Sequence, residues 1–261
     1  MKKYFLAGCT LLSFVLGCKK NNLNEAKYWD YNDPANAQIK FINAYTALTP
    51  SAATPANGPS VDIYVNNIKV NATPVAYGSV YPAVSGTYAA VPNGLVNIKV
   101  IVNRTGGNIA GDTLANGSYR LAVGGKSSII LVDPQPNPTP LSPNLMVIGE
   151  TASVPSTYGV FRARFINLYA APDTLEIFST YYNRVVCSGQ VYKNLSEWIE
   201  LPVPIPSPAT ADVWQLRKPG TTTALNTITF APGVSRSYTF WTRGNPSVTG
   251  RTRTYSNFLT Q

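Results

Sequence analysis

The sequence predicts an all-β protein built as two antiparallel β-sandwiches in tandem. Three observations lead there. Apolar and polar residues alternate with period two over short runs. Pro and Gly, 21 and 19 of the 261 residues, interrupt those runs at short intervals. A strand-like segment also recurs about one domain length further along the chain.

The clearest strand places Val96, Ile98, Val100 and Val102 on one face, alternating with Asn97, Lys99, Ile101 and Asn103. Before it, Val61, Ile63 and Val65 alternate with Asp62, Tyr64 and Asn66, and Asn66-Asn67 offers a turn that tolerates positive φ. Tyr238-Thr239-Phe240-Trp241 is an aromatic, β-branched run of the kind that fits a pleated surface. No helix of ten or more residues is expected in the mature chain.

In the repeat, Ile39-Lys40-Phe41-Ile42-Asn43-Ala44-Tyr45 recurs as Ala163-Arg164-Phe165-Ile166-Asn167-Leu168-Tyr169. An acidic strand follows each copy, first Val61-Asp62-Ile63-Tyr64, then Leu175-Glu176-Ile177-Phe178. Gly124-Gly125-Lys126 leads into Ile129-Ile130-Leu131-Val132 in the first copy, and Pro232-Gly233-Val234 into Tyr238 to Trp241 in the second. Last strands are expected at Leu145 to Ile148 and at Tyr255 to Leu259. The spans 38–150 and 159–261 therefore read as two sandwiches of immunoglobulin-like or transthyretin-like type, with a seam in sequence near Thr151 to Tyr158.

The N-terminus is read differently. Lys2 and Lys3 precede an apolar stretch from Tyr4 to Leu16, too short for a membrane-spanning helix of roughly 20 residues and suited to a signal peptide. Val15-Leu16-Gly17-Cys18 resembles the bacterial lipobox, which implies cleavage after residue 17 and a diacylglyceryl group on Cys18. Leu6-Ala7-Gly8-Cys9 has comparable letters, but it leaves too little of the roughly 7 to 15 apolar residues that must precede the site. Residues 18–37 then form a lipidated tether that includes Tyr28-Trp29-Asp30-Tyr31. Lys19 after the lipid site favours the outer membrane, on a face the sequence does not specify.

With these segments assembled, the chain resembles the tandem domains of the domain-of-unknown-function family 4397. The matching residues in the first copy are Phe41-Ile42-Asn43, Val61 to Val65, and Tyr88-Ala89-Ala90-Val91-Pro92-Asn93-Gly94. In the second copy they are Arg164 to Asn167, Ala171-Pro172-Asp173, Leu175-Glu176-Ile177, and Tyr238-Thr239-Phe240 with Gly244. The second copy departs at Leu201-Pro202-Val203-Pro204, where the Gly is missing. The resemblance implies an extracytoplasmic β-sandwich and carries over no catalytic residue.

Composition narrows the chemistry. Charged residues are 13% of the chain, against about 25% in a typical soluble domain. The formal charge is +9, or +7 once Lys2 and Lys3 leave, with no run of Lys or Arg longer than two. That pattern points away from nucleic acid, whose binders cluster their cations. The chain has no His, which excludes the usual Ser-His-Asp and Cys-His arrangements. Cys187 is the single mature thiol besides Cys18, so no intramolecular disulfide and few zinc sites are open. It is expected to be buried and inert. Gly124-Gly125-Lys126-Ser127 has half the letters of a phosphate cradle, but a strand rather than a helix should follow it.

Paired carboxylates could hydrolyse glycosides, and Asp173 with Glu176 and Glu197 with Glu200 are the candidates. Their spacing puts the members of each pair on opposite strand faces, and Asp62 and Glu176 are expected on solvated faces. No catalytic residue, metal or cofactor is assigned. Trp214 shares parity with Leu216 and is expected in a core. Trp198 and Trp241 have the parity of residues that face away from their own core; packing in a core or between the domains is the favoured reading, and with Trp29 a surface that holds a sugar or a protein partner is the alternative. The expected function is a lipid-anchored, extracytoplasmic, non-enzymatic module for binding, scaffolding or adhesion in the envelope. A glycan-binding accessory protein is the alternative, and a carboxylate-dependent hydrolase a remoter one.

Overall fold

The computed structural model describes residues 33–46, 59–103, 113–133, 144–150, 155, 157–204, 211–247 and 252–260. Cys18, the signal segment, Trp29 and most of the tether lie outside the described residues. All regular structure among the described residues is strand. Residues 34–261 form one compact unit.

The first half contains β1 (Ala37–Asn43), β2 (Ser60–Val65), β3 (Ile68–Lys69), β4 (Val80–Tyr81), β5 (Ala89–Val91), β6 (Gly94–Asn103), β7 (Thr113–Leu121), β8 (Lys126–Val132) and β9 (Asn144–Glu150). These make an outer sheet in the order β3-β2-β6-β7 and an inner sheet in the order β4-β1-β8-β9, with β5 also on β1. The β2–β3 turn runs through Asn66 and Asn67 at φ +48° and +66°, the left-handed conformation that Asn tolerates.

The second half repeats this plan. Its strands are β10 (Val160–Tyr169), β11 (Leu175–Ser179), β12 (Arg184–Gln190), β13 (Ile199–Pro202), β14 (Asp212–Arg217), β15 (Ala224–Phe230), β16 (Ser237–Gly244) and β17 (Thr254–Leu259). The outer sheet is β12-β11-β14-β15 and the inner sheet β13-β10-β16-β17. Leu201-Pro202 ends β13, which pairs with β10 as β5 pairs with β1.

Each sandwich buries its own core. Ile39, Phe41, Val61, Ile63, Val96, Ile98, Val100, Ile129 and Leu131 meet between the first two sheets. Phe161, Phe165, Ile177, Trp214, Leu216, Phe230 and Phe240 meet between the second two, with Trp214 stacked on Phe240 at 4.5 Å between ring centroids. Period two decides membership: on β1, residues 39 and 41 enter the core while 40 and 42 face away.

The faces that point away are also covered. Ile42, Ala44, Ile130 and Val132 of the first inner sheet pack with Ile166, Leu168, Trp241 and Phe258 of the second. The two inner sheets thus meet along an apolar seam, and the order of layers is outer, inner, inner, outer.

Four expectations change. The inner sheets are mixed rather than antiparallel, since β1 runs parallel to β8 and β10 parallel to β16. Alternation fixes which face a residue takes but not the direction of the neighbouring strand. The last residues assigned to the tether belong to the sandwich: β1 starts at Ala37, and the Ala35 carbonyl accepts from Gly124 N at 3.1 Å and from the Asn93 amide at 2.6 Å. The acidic repeat position is not solvated. Asp62 is buried under Lys69 (3.0 Å) and Asn103 (2.7 Å), and Glu176 is likewise buried. The platform reading of Trp241 fails: it is 1% exposed because the other sandwich covers it, which is the inter-domain packing of the favoured reading.

Candidate binding site at the seam

The seam is apolar in its middle and polar at both ends. At one end β1 contributes Lys40, β8 contributes Lys126 and Ser128, and β9 contributes Glu150. Facing them are Arg164 from β10, Thr239 from β16, Thr260 after β17, and Trp198 just before β13.

Arg164 Nη2 bonds Glu150 Oε2 across the seam, with the two side chains 4% and 1% exposed. Ser128 Oγ donates to the other Glu150 oxygen at 2.5 Å. Arg164 Nε donates to Thr239 Oγ1 at 3.1 Å, and its guanidinium lies 4.5 Å from the Trp198 ring centroid. A charge-assisted pair buried with its remaining hydrogen bonds filled is the arrangement that low dielectric tolerates.

Lys40 is the counterpart of Arg164 in the repeat, and its surroundings are counterparts too. Tyr88 precedes β5 as Trp198 precedes β13, and the Lys40 ammonium stands 5.1 Å from the Tyr88 centroid as Arg164 stands over Trp198. Ser128 and Thr239 are the parallel-strand partners of Lys40 and Arg164. Thr239 and Thr260 share a hydrogen bond at 2.8 Å, as Ser128 and Glu150 do. The two inner sheets are therefore related by an approximate twofold, and Thr260 occupies the position equivalent to Glu150.

Lys40 is 1% exposed, and its ammonium makes no side-chain hydrogen bond or ion pair among the described residues. Its contacts are the rings of Tyr88 and Phe258. Burial lowers its pKa from 10.5 to about 8; Glu150 opposes that shift and Lys126 adds to it. Lys126 Nζ also stands 5.1 Å from the Tyr88 centroid, which puts the two ammonium groups within about 10 Å of each other. Burial, reinforced by Glu150, pushes the Tyr88 hydroxyl well above its ordinary value.

At the other end of the seam, Asp133 receives Thr46 N (2.8 Å), the Thr46 hydroxyl and the Asn245 amide (3.1 Å), while its carbonyl accepts from Tyr192 (2.5 Å). Close by, the Arg243 guanidinium lies between Tyr77 (5.5 Å) and Trp241 (5.0 Å). Gly78, at φ +77°, makes room for it, since a Cβ there would stand 2.5 Å from Arg243 Nε.

Of the tryptophans singled out in the sequence and among the described residues, Trp198 is partly open to solvent, and Trp241 is a seam residue rather than a platform. The candidate carboxylates do not converge. Asp173 is held by Lys218 (3.1 Å) and Arg253 (2.8 Å), Glu200 is tied to Arg162 (2.8 Å), and Glu197 is exposed. Cys187 is buried, and burial raises its thiol pKa against a weaker opposing hydrogen bond from Ser196. Lys40, Tyr88, Glu150 and Thr260 were not legible as a group. The signal that could have found them is the shared cation of the repeat, Lys40 and Arg164, each inside an otherwise apolar strand.

The fold defines the class, an all-β chain of two sandwiches with the same topology. No protein-family model matches the chain, and no curated protein matches it significantly.

Proposed function

We propose that this chain is a lipid-anchored, extracytoplasmic, non-enzymatic binding or scaffolding protein of the bacterial envelope. The seam is the observation that supports this reading most. Two sandwiches joined by a continuous apolar interface and polar clasps at both ends make one body, suited to presenting a surface on a tether. The lipobox letters at Cys18 supply the anchor, Lys19 the outer-membrane preference, and the resemblance to family 4397 the extracytoplasmic setting. The membrane is the first partner, through the lipid, and an envelope protein the second.

Cys18→Ala expressed in a diderm bacterium is expected to leave the membrane fraction and appear soluble in the periplasm or medium. Retention of that variant in membranes would overturn the anchoring.

A second reading, carbohydrate binding, is favoured by one feature. Trp198 and Tyr88, half-buried, flank the cation-rich end of the seam. A glycan array read with wild type and Trp198→Ala tests it; no signal at millimolar sugar removes it.

A further inference from the structure

We propose that the end of the seam around Lys40, Lys126 and Tyr88 binds an oxyanion, the carboxylate of an acidic sugar being the form that fits its aromatic walls. The inference narrows the carbohydrate reading and is independent of the lipid anchor.

The broken twofold carries the argument. Arg164 sits in its half of the seam with an aromatic ring, a hydroxyl and the carboxylate of Glu150. Lys40 sits in the equivalent half with an aromatic ring and Lys126, but the residue at the carboxylate position is Thr260. Glu150 cannot serve both halves fully, because its oxygens are engaged by Arg164 and Ser128. One carboxylate therefore stands among three cations.

A buried ammonium without an acceptor is costly, and ring contacts offset only part of that cost. Natural interiors hold such a charge with a partner. An external carboxylate, sulfate or phosphate between Lys40 and Lys126 would supply the missing charge and the missing acceptors. At the rim Lys126, Tyr88 and Trp198 are each partly exposed, so a ligand would enter from their side, with the rings as apolar walls for the body of a sugar.

The full chain, solubilised in detergent at pH 7 and constant ionic strength, is titrated with inorganic phosphate and separately with a trigalacturonate. Binding is read by calorimetry and by the midpoint of thermal unfolding. Saturable binding with a raised midpoint is expected. Lys126→Gln should weaken it at least tenfold, whereas Lys99→Gln, on the outer sheet, should leave it unchanged.

Thr260→Glu is the decisive variant, since it restores the internal carboxylate. It should raise the midpoint without ligand and abolish the response to both probes. Phosphate binding without trigalacturonate binding keeps the oxyanion site and removes the sugar from it. Absence of saturable binding of either probe up to 10 mM overturns the site, as does a Thr260→Glu protein that folds and still binds like wild type.

Discussion

Lys40 and Arg164 hold equivalent positions in the two halves of the chain, each over an aromatic ring, and only Arg164 has a carboxylate to itself. The two halves share a fold and pack through their inner sheets. At the position that faces the other half's cation, one copy carries Glu150 and the other Thr260. The consequences are energetic first, and they can be measured by unfolding experiments.

Glu150→Ala leaves a guanidinium buried without its partner, and should cost about 3–5 kcal/mol in urea unfolding. Replacing both members, as Glu150→Leu with Arg164→Met, should recover most of that loss, because the well-packed apolar pair avoids desolvating charge. A double variant as unstable as Glu150→Ala alone would show that the pair matters through geometry and not through charge.

Lys40 makes stability depend on pH in a definite direction. Its pKa is about 8 in the fold and 10.5 without it. Below pH 8 both states are protonated and the cost of burying the ammonium is present in full. Between pH 8 and 10.5 the folded state has released its proton and the unfolded state has not, so stability rises with pH. The charged groups facing it are Glu150, which opposes the shift, Lys126, which adds to it, and Arg164, paired with Glu150. Lys40→Met should flatten that rise and stabilise the protein at pH 7 by about 1–4 kcal/mol. An unchanged pH profile in the variant would assign the dependence elsewhere.

Gly78 is required twice, for its positive φ and for the approach of Arg243. Gly78→Ala should therefore destabilise by more than the roughly 1–2 kcal/mol of left-handed strain alone. In an Arg243→Ala background the same substitution should cost only that strain. Equal costs in the two backgrounds would mean that the Arg243 side chain moves aside freely.

The two tryptophans of opposite fate separate seam from rim. Trp241→Ala opens a cavity between the sandwiches and should cost about 3–5 kcal/mol. Trp198→Ala, at the partly exposed rim, should cost much less while quenching less of the buried fluorescence. Similar losses for both would place Trp198 in the structural seam as well.

Cys187 should react with a disulfide reagent slowly in the native state and quickly on unfolding, because burial both shields the thiol and raises its pKa. Native reactivity close to that of free cysteine would show that β12, at the edge of its sheet, opens readily.

The sequence by itself determined the fold class, the strands and the repeat. Each rests on local physics: period-two burial places Val96 to Val102 and Val61 to Val65, and Asn66-Asn67 sets its turn through a conformation few residues tolerate. Trp214 was legible as core by parity with Leu216. Tertiary structure alone decided what covers the outward faces. Parity sent Trp241, Ile42 and Lys40 away from their own cores, and nothing local says whether that side meets water or a second sheet. The parallel pairing of β1 with β8, the burial of Asp62 and Glu176, and the unequal fates of Lys40 and Arg164 are decided the same way. The first two are settled by contacts within a sandwich and the last by contacts across the seam, and short-range pattern carries no information about either kind of encounter.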